Sequence, residues 1–330
     1  MQSRIAVLGA GAWGSALAIQ ISRSGHAVRL WGHRREHMAT LAAARENNRY
    51  LPGAQFPATL TPESDFAAAL DGADQVLVAV PSHAFADTLA ALAPVCAAPV
   101  FWATKGLDPA NGRPLHERAQ TILGPKRGLG IVSGPSFAAE VARGLPTAVT
   151  VAATDAGLAE RFAGLLHGPT FRAYVSTDLV GVELGGAAKN VIAIAAGISD
   201  GLGFGANARA GLITRGLAEI MRLGKALGAL PRTLTGLAGL GDLVLTATDD
   251  QSRNRRFGLA LGRGASVAEA QSSIDAAVEG IPAARALTKL ARELEVEMPI
   301  SEEVRAVLDG IHTPRAAVET LMRRAMKTEH

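Results

Sequence analysis

The sequence predicts a protein of two domains: an α/β domain on a doubly wound, mostly parallel sheet, and a second, all-helical domain. Short β-rich runs alternate with helical patterns up to about residue 178, and from residue 179 the pattern is helical without obvious strands. The length of 330 residues also fits two domains at roughly 150 residues each. We therefore expect domain boundaries at residues 1–178 and 179–330.

Composition narrows the class of protein. Hydrophobic residues make up 48% of the chain and charged residues 19%, enough for a sizeable core. Lysine and arginine number 33 against 30 acids, which is weak evidence for nucleic-acid binding and fits an anionic small molecule better. The lone cysteine, Cys96, is compatible with a reducing cytosol. Neither a signal peptide nor a transmembrane run of about 18 residues is recognised, so we expect a cytoplasmic protein.

The N-terminal segment has the order strand, glycine turn, helix, strand. A β-rich run at residues 4–8 ends at GAGAWG, residues 9–14, and a helical pattern at 15–23 leads to a second apolar run at 27–31. This order fits within the ~30 residues that a βαβ unit needs. A glycine turn that merely joins a strand to a helix is the alternative, and the complete context makes it the weaker interpretation.

The three glycines of this turn have separate roles in a Rossmann-type dinucleotide site. Gly9 permits the tight turn, Gly11 lets backbone approach a pyrophosphate, and Gly14 allows close packing of helix on strand. The following helix offers unpaired N–H groups and the positive end of its dipole to the phosphates. The sequence therefore predicts dinucleotide binding.

The residues after the second strand favour NADP over NAD. An enzyme specific for NAD usually places an acid there to hold the ribose 2′-hydroxyl, but here the chain reads Gly32-His33-Arg34-Arg35 before Glu36. An arginine suits a 2′-phosphate through charge-assisted hydrogen bonds. The alternative is that both arginines are solvated at the start of a helix and that the histidine is an ordinary surface residue.

Two further strand ends carry polar residues. A strand at residues 75–80 precedes Ser82, which we expect to cap a helix, and a strand at 100–103 precedes Lys105. Ligands bind outside the carboxyl ends of such strands, so Lys105 meets an anionic group or is only a loop charge. In the turn at residues 134–136, Ser136 either donates and accepts hydrogen bonds in a site or is a plain N-cap. More strands are expected at 147–152 and 171–175.

The helical half begins with an apolar stretch, residues 181–205, that contains a single lysine, Lys189. Gly185 and Gly186 lie one helical turn before it and would let the helix pack closely. Burial disfavours the charged form and would lower the pKa of this lysine, making it a proton donor and acceptor near neutral pH. The alternative is a lysine whose stem packs on apolar surface while its head reaches solvent.

Three later segments add polar groups. Asp242 follows a glycine-broken turn and either charge-balances a buried ammonium or caps a helix. Residues 252–254 bring a hydroxyl, a guanidinium and an amide to a helix start, which suits a phosphate; the alternative is an acidic N-cap followed by a basic, solvated turn. Glu279 is either a first-turn acid or a ribose ligand. Residues 326–330 are expected to fray.

Seven motifs along the chain together resemble the glycerol-3-phosphate dehydrogenase family, in its bacterial NAD(P)-dependent branch. They are GAGAWG at 9–14, WGHRR at 31–35, ATKGL at 103–107, GPSFAAE at 134–140, ELGGAAKN at 183–190, GLGDL at 239–243 and SRNRRFG at 252–258. They follow the family's order and cover nearly the whole chain. Related hydroxyacid dehydrogenases share the first motif and the two-domain plan but not the later set.

The resemblance implies reversible reduction of dihydroxyacetone phosphate to sn-glycerol 3-phosphate by NAD(P)H, which feeds phospholipid synthesis from the cytoplasm. It makes Lys189 the proton donor and acceptor. The implied substrate residues are Lys105, Gly134, Ser136, Lys189, Asp242, Ser252, Arg253 and Asn254. The implied cofactor residues are Gly9, Gly11, Ala12, Trp13, Gly14, His33, Arg34, Lys105, Ala138, Arg253 and Glu279. Ala12 stands where many family members have Ser or Thr, so only backbone can contact the pyrophosphate there.

Hydride delivery to a carbonyl carbon builds negative charge on the oxygen, which must be stabilised and protonated in a water-poor site. Asp242 would raise the pKa of Lys189 while burial lowers it, so the two effects oppose each other. We expect no metal site, no nucleic-acid partner and no membrane span, and a homodimer is allowed by the sequence. The competing hypotheses are a dehydrogenase of another acid, such as a ketopantoate-like substrate, and a non-catalytic NADP sensor.

Overall fold

The computed structural model describes residues 2–274 and 277–324. The chain divides into two compact units: the first comprises Met1–Asp108 and Pro114–Glu183, and the second comprises Pro109–Arg113 and Leu184–His330. The expected boundary at residue 178 lies just before a long helix, whereas the units divide inside that helix. The tail at 326–330, for which fraying is expected, lies outside the described residues.

The first unit is built on an eight-stranded sheet with the order β3-β2-β1-β4-β5-β6-β7-β8. Its strands are β1 (Arg4–Leu8), β2 (Ala27–Trp31), β3 (Leu60–Glu63), β4 (Gln75–Val78), β5 (Val100–Trp102), β6 (Leu129–Ser133), β7 (Thr147–Ala153) and β8 (Phe171–Ser176). All neighbouring strands pair in parallel except β6 and β7, which are antiparallel. The prediction of a doubly wound, mostly parallel sheet is confirmed.

Burial explains why these segments form strands. The strands β4, β5 and β6 are buried along their whole length, as expected for central strands covered on both faces. In the core, the rings of Phe101 on β5 and Phe162 stack with centroids 3.9 Å apart. The edge strand β8 instead buries only part of its residues.

Seven helices complete this unit. They are α1 (Ala12–Arg23), α2 (Arg35–Ala44), α3 (Phe66–Leu70), α4 (Ser82–Leu92), α5 (Leu115–Leu123), α6 (Ala138–Arg143) and α7 (Ala156–Leu166). The prediction that Ser82 caps α4 is wrong. Pro81, with φ −57° and ψ 154°, already holds the extended conformation of an N-cap, so Ser82 becomes the first helical residue.

The described part of the second unit is helical. Its helices are α8 (Leu179–Gly201), which crosses from the first unit, α9 (Ala206–Ala226), α10 (Pro231–Leu234), α11 (Asp242–Thr248), α12 (Arg253–Gly262), α13 (Val267–Ser272), α14 (Gly280–Glu293), α15 (Pro299–Leu308) and α16 (Pro314–Met322). A π-helical turn at Leu237–Gly241 precedes α11. The change from strands to helices agrees with the prediction.

Helix α8 is the core helix of this unit. Within the described residues it is the one helix long and apolar enough to cross a membrane, yet 83% of its apolar 18-residue window is buried inside the protein. A helix that is apolar on all sides and packed on all sides belongs to a protein core.

Helices α8 and α12 pack backbone to backbone through glycines. Gly197 and Gly201 on α8 face Gly258 and Gly262 on α12, each pair spaced by one helical turn. A Cβ added at Gly197 or at Gly258 would stand 2.1 Å from a backbone oxygen of the other helix. Any side chain at these positions would push the helices apart, so the glycines fix their spacing.

Candidate active site

The glycine turn between β1 and α1 forms an open cradle. Gly9 has φ +121°, and a Cβ there would lie 2.6 Å from the Ala79 oxygen, just after β4. A Cβ on Gly14 would lie 1.9 Å from the Gly9 oxygen, whereas a Cβ on Gly11 would meet nothing within 4 Å. Gly9 and Gly14 therefore close the turn, and Gly11 leaves space in front of it. This is the shape that a dinucleotide pyrophosphate requires.

The start of α1 supplies donors to this space. Its N-cap, Gly11, provides no side-chain cap, and the first helical amides have no acceptor within the helix. Ala12 carries no hydroxyl, so it can contact a phosphate only through its backbone. The indole Nε1 of Trp13 is buried and has no hydrogen-bond partner among the described residues. Free donors and the helix dipole fit the negatively charged phosphates of a dinucleotide.

A cationic cluster follows β2. Residues 33–35 are exposed, and Arg34 precedes α2 as its N-cap. The Arg34 guanidinium donates to the Tyr50 hydroxyl, and its Cζ lies 5.9 Å from the ring centroid, while the Arg49 Cζ lies 5.3 Å from the same ring. Burial lowers the pKa of the neighbouring His37, and the charges of Arg34 and Arg49 lower it further. Sequence reasoning missed Arg49 and Tyr50, because nothing local links them to the end of β2.

Lys105 and Ser136 meet at the ends of β5 and β6. The Lys105 Nζ donates to the Gly134 oxygen at 3.3 Å, and the Ser136 hydroxyl donates to the same oxygen at 2.8 Å. Gly134 has φ +145°, a conformation that glycine adopts readily. The plain N-cap interpretation of Ser136 is wrong, because Phe137 is the N-cap of α6 and Ala138 its first residue. The sequence-predicted residues at these two strand ends are therefore neighbours.

Lys189 lies inside the second unit with its charge compensated. Its side chain is 8% exposed and forms an ion pair with Asp242, whose side chain is 1% exposed. The Lys189 Nζ also donates to the Thr246 hydroxyl at 2.9 Å, which donates in turn to the Asp242 backbone oxygen at 2.6 Å. The ammonium does not reach solvent as a snorkelling lysine would. Helix packing and the ion pair thus place a proton-bearing group in a low-dielectric environment.

The position of Asp242 follows from the glycines before it. A Cβ on Gly185 would stand 2.4 Å from the Ala238 oxygen, so α8 and the π-helical turn touch closely. The turn ends at Gly241, which is the N-cap of α11, and the capping interpretation of Asp242 is therefore wrong. Asp242 points instead to the ammonium. Thr246 was missed, although its position one turn after Asp242 on the same helix is a signal for a shared partner.

Residues 252–254 form the first turn of α12. Ser252 is the N-cap, and its hydroxyl oxygen accepts from the Arg255 amide at 3.2 Å; an acidic N-cap, the alternative interpretation, is wrong. Ser252 and Asn254 are buried, whereas Arg253 presents surface to solvent. Protein atoms around the Arg253 guanidinium nevertheless lower its pKa by desolvation, and the Glu279 carboxylate opposes that shift. A hydroxyl, a cation and free helix amides therefore share one helix start.

An amide network ties this turn to α8. The Asn254 side chain donates to the Asn190 side-chain oxygen at 2.9 Å and accepts from the Gly280 amide at 2.9 Å. Asn190 follows Lys189 directly in the chain, so the α12 turn is hydrogen-bonded to the residue next to the buried lysine. Glu279 is the N-cap of α14 but makes no side-chain cap. Asn190 was missed as a site residue because its side-chain partner Asn254 lies 64 positions away.

The described residues contain no group of three or more His, Cys, Asp and Glu side chains that could hold a metal ion. The first unit offers a glycine cradle on a Rossmann-type sheet, and the second offers a buried lysine and a helix start that carries a hydroxyl and a guanidinium. Reduction of a carbonyl by a nicotinamide dinucleotide is the chemistry that these features serve, and they define a dinucleotide-dependent dehydrogenase.

The chain belongs to the family of NAD-dependent glycerol-3-phosphate dehydrogenases. The family's N-terminal domain matches residues 4–159, and its C-terminal domain matches residues 178–319. The expectation drawn from the sequence motifs is thereby confirmed, and the protein is an oxidoreductase that works with NAD(P).

Similarity to individual relatives extends over the full chain. A glycerol-3-phosphate dehydrogenase (NAD(P)+) of Halorhodospira halophila is 56% identical over 329 residues, which cover 100% of this chain and 99% of the relative. One of Thioalkalivibrio sulfidiphilus is 57% identical over 330 residues, with 99% of each chain covered. The crystal structure of glycerol-3-phosphate dehydrogenase from Coxiella burnetii is 47% identical, with a TM-score of 0.94 and coverage of 98% and 99%.

Proposed function

We propose that this protein catalyses the reversible reduction of dihydroxyacetone phosphate to sn-glycerol 3-phosphate, with Lys189 as the proton donor and acceptor. The observation that carries the proposal is the buried Lys189–Asp242 ion pair, on a helix whose next residue, Asn190, accepts a hydrogen bond from Asn254 at the start of α12. When bound, the reduced nicotinamide supplies the hydride that adds to the carbonyl carbon. The names of the relatives support the substrate and the cofactor class.

Lys189 neutralises the charge that develops on the substrate oxygen. As the carbonyl oxygen becomes an alkoxide, the ammonium donates a proton to it and is left as a neutral amine. In the reverse direction the amine accepts the proton of the hydroxyl. Asp242 stabilises the charged form of the lysine, and Thr246 accepts from the same Nζ and fixes its direction. Burial of the pair keeps water from competing for the proton.

The first turn of α12 binds the substrate phosphate. The Ser252 oxygen already accepts from the Arg255 amide, so its own hydroxyl proton is directed away from the helix and can donate to an anion. Arg253 adds a charge-assisted hydrogen bond, and Asn254 holds the turn against α8. Binding energy from the phosphate orients the distant carbonyl for reaction.

Most of the residues that we propose to hold the cofactor, and several that we propose to line the substrate, belong to the first unit. Gly9, Gly11 and Gly14 shape the cradle for the pyrophosphate, with first-turn amides of α1 as donors. The further contacts that we propose to the cofactor come from Ala12, Trp13, His33, Arg34, Lys105, Ala138, Arg253 and Glu279. The contacts that we propose to the substrate come from Lys105, Gly134 and Ser136. The Lys105 ammonium and the Ser136 hydroxyl both donate to the Gly134 oxygen.

NADP is the favoured cofactor, and the product supplies phospholipid synthesis in the cytoplasm. The end of β2 offers no acid for a ribose 2′-hydroxyl before Glu36, whereas the guanidinium groups of Arg34 and Arg49 both lie against Tyr50. Two guanidinium groups at this position suit a 2′-phosphate, since arginine binds phosphate through charge-assisted hydrogen bonds.

A spectrophotometric assay of NADPH and NADH oxidation tests the proposal. Oxidation should require dihydroxyacetone phosphate, and dihydroxyacetone, which lacks the phosphate, should be reduced with a far lower kcat/KM. Equal activity on both substrates, or activity on a ketopantoate-like acid instead, would contradict the substrate. NADPH binding without turnover of any carbonyl compound would favour a sensor.

A further inference from the structure

Arg255 connects the α12 turn to the end of α8. Its backbone amide donates to the Ser252 oxygen at 3.2 Å, and its side chain, 10% exposed, forms an ion pair with Asp200 at 2.6 Å. It also pairs with Asp250, whose side chain is 74% exposed and therefore well screened by water. The buried contact is thus the one with Asp200, on the last turn of α8.

Asp200 is shared by a second arginine, which lies on a different helix from α12. Arg209 on α9 donates to both Asp200 oxygens, at 3.0 and 2.9 Å, and its side chain is 30% exposed. Arg255 and Arg209 therefore bind the same carboxylate from different helices. They form a matched pair in which one arginine belongs to the phosphate turn and the other does not.

The glycine contact leaves α12 only limited ways to move on α8. Backbone contact at Gly197 and Gly258 fixes the distance between the helices, because an atom added at either position would overlap the other helix. Rotation of α12 about its own axis would carry Gly258 and Gly262 out of this contact, and at the N-terminal end of the helix it is restrained by polar side chains such as Asn254, which donates to Asn190. Such a rotation would turn the Ser252 hydroxyl and the Arg253 side chain away from a bound phosphate. The Arg255–Asp200 ion pair lies off the axis and opposes it.

We propose that Arg255, held by Asp200, is a positioning residue that fixes the first turn of α12 in the orientation that binds the substrate phosphate. The inference rests on the proposed function, since that function assigns the substrate phosphate to the first turn of α12. Arg255 itself contacts the substrate neither directly nor through its amide. Its effect should therefore appear where the phosphate contributes and nowhere else.

The experiment compares Arg255→Lys and Asp200→Asn with Arg209→Lys in the full-length protein. Lysine keeps the charge but loses the fork that reaches two carboxylates. For each variant, kcat/KM is measured with dihydroxyacetone phosphate and with dihydroxyacetone, and their ratio gives the phosphate discrimination. Phosphate binding is also measured directly, as the inhibition constant of inorganic phosphate in competition with dihydroxyacetone phosphate. This measurement needs no phosphate-free substrate. NADPH affinity and Tm are measured alongside.

We expect Arg255→Lys and Asp200→Asn to reduce phosphate discrimination roughly 10- to 100-fold, the scale of a small misplacement in a binding site. The same two variants should raise the inhibition constant of inorganic phosphate. Arg209→Lys should change neither the discrimination nor the inhibition constant. The double variant should lose less than the product of the two single losses, because both remove one contact. NADPH affinity should stay constant in all variants.

Two results would overturn the inference. In the first, Arg255→Lys lowers kcat/KM for both substrates by the same factor, together with Tm, which indicates a purely structural role. In the second, the wild type discriminates in favour of the phosphate and both variants keep that discrimination. A wild type that shows no discrimination would instead refute the proposed function. If Arg255→Lys does not fold, Asp200→Asn provides the same readout.

Discussion

Glycine has opposite roles in the glycine turn of the first unit and in the α8–α12 contact of the second. At residues 9–14 the glycines shape a turn and leave open space in front of Gly11. At Gly197 and Gly258 the space is filled by the backbone of another helix. The first region therefore leaves space for a charged ligand, and the second holds two helices in direct backbone contact. The same residue type marks a binding surface in one place and a packed core in the other.

The largest effect should come from replacing Lys189, the proposed proton donor. Lys189→Ala should lower kcat for dihydroxyacetone phosphate by roughly 10²- to 10⁴-fold, the range for loss of a general acid. NADPH binding should persist, because the cradle lies in the first unit. Steady-state kinetics and fluorescence titration of NADPH measure both. A kcat within a few-fold of the wild type would remove Lys189 from the mechanism.

The next largest effect should be on stability. Gly258→Ala places a Cβ 2.1 Å from the Ile194 oxygen and should destabilise the fold by about 1–3 kcal/mol or more, as overpacked cores do. The control is Gly211→Ala on α9, where a Cβ meets nothing within 4 Å. The control should be stabilised by up to about 1 kcal/mol, since alanine favours a helix. Denaturant unfolding measures the free energy of unfolding of both variants. Equal values would contradict the packing argument.

A substitution in the open region should spare stability and affect the ligand. Gly11→Ala meets no protein atom, so the free energy of unfolding should change by less than about 0.5 kcal/mol, as for tolerated surface changes. The added methyl group occupies the space of the pyrophosphate, so NADPH should bind roughly tenfold more weakly or worse. Calorimetric titration and thermal unfolding separate the two effects. Unchanged NADPH affinity would show that the cradle is not the pyrophosphate site.

The smallest effect should be a change of cofactor preference. Arg34→Ala should weaken NADPH by about tenfold, the value of one charge-assisted hydrogen bond, and leave NADH nearly unchanged. The KM values for the two cofactors measure the effect. Equal loss for NADPH and NADH would place Arg34 away from the 2′-phosphate. Arg49→Ala, tested beside it, shows whether the second guanidinium against Tyr50 contributes.

Local signals were sufficient for much of the fold. The strand, turn and helix around residues 4–14 follow from adjacent residues, because glycine conformation and apolar patterning act over a few positions. The caps were less predictable. Ser82 and Ser136 both have good capping side chains, yet Pro81 and Phe137 are the N-caps, since their extended backbones precede the helices. Backbone conformation, rather than side-chain preference, decided these helix starts.

The candidate site residues that lie within sequence motifs could be predicted. Their partners from distant parts of the chain could not. The sequence indicated Lys189 and Asp242 separately, but their pairing across 53 positions depends on how α8 packs on the π-helical turn. Arg49 and Tyr50 join the end of β2 only in the folded chain. The Asp200–Arg255 ion pair likewise depends on the α8–α12 contact. Tertiary packing, which no local pattern encodes, supplied these partners.

The glycine contact between α8 and α12 has a consequence for which substrates are accepted. Lys189 is carried by one of these helices and the proposed phosphate turn by the other, and backbone-to-backbone packing sets the distance between the two helices. This packing thereby also limits the separation between the proposed proton donor and the proposed phosphate site. A phosphorylated ketone with one more carbon between its carbonyl and its phosphate would not match that separation, and its carbonyl would miss the proton.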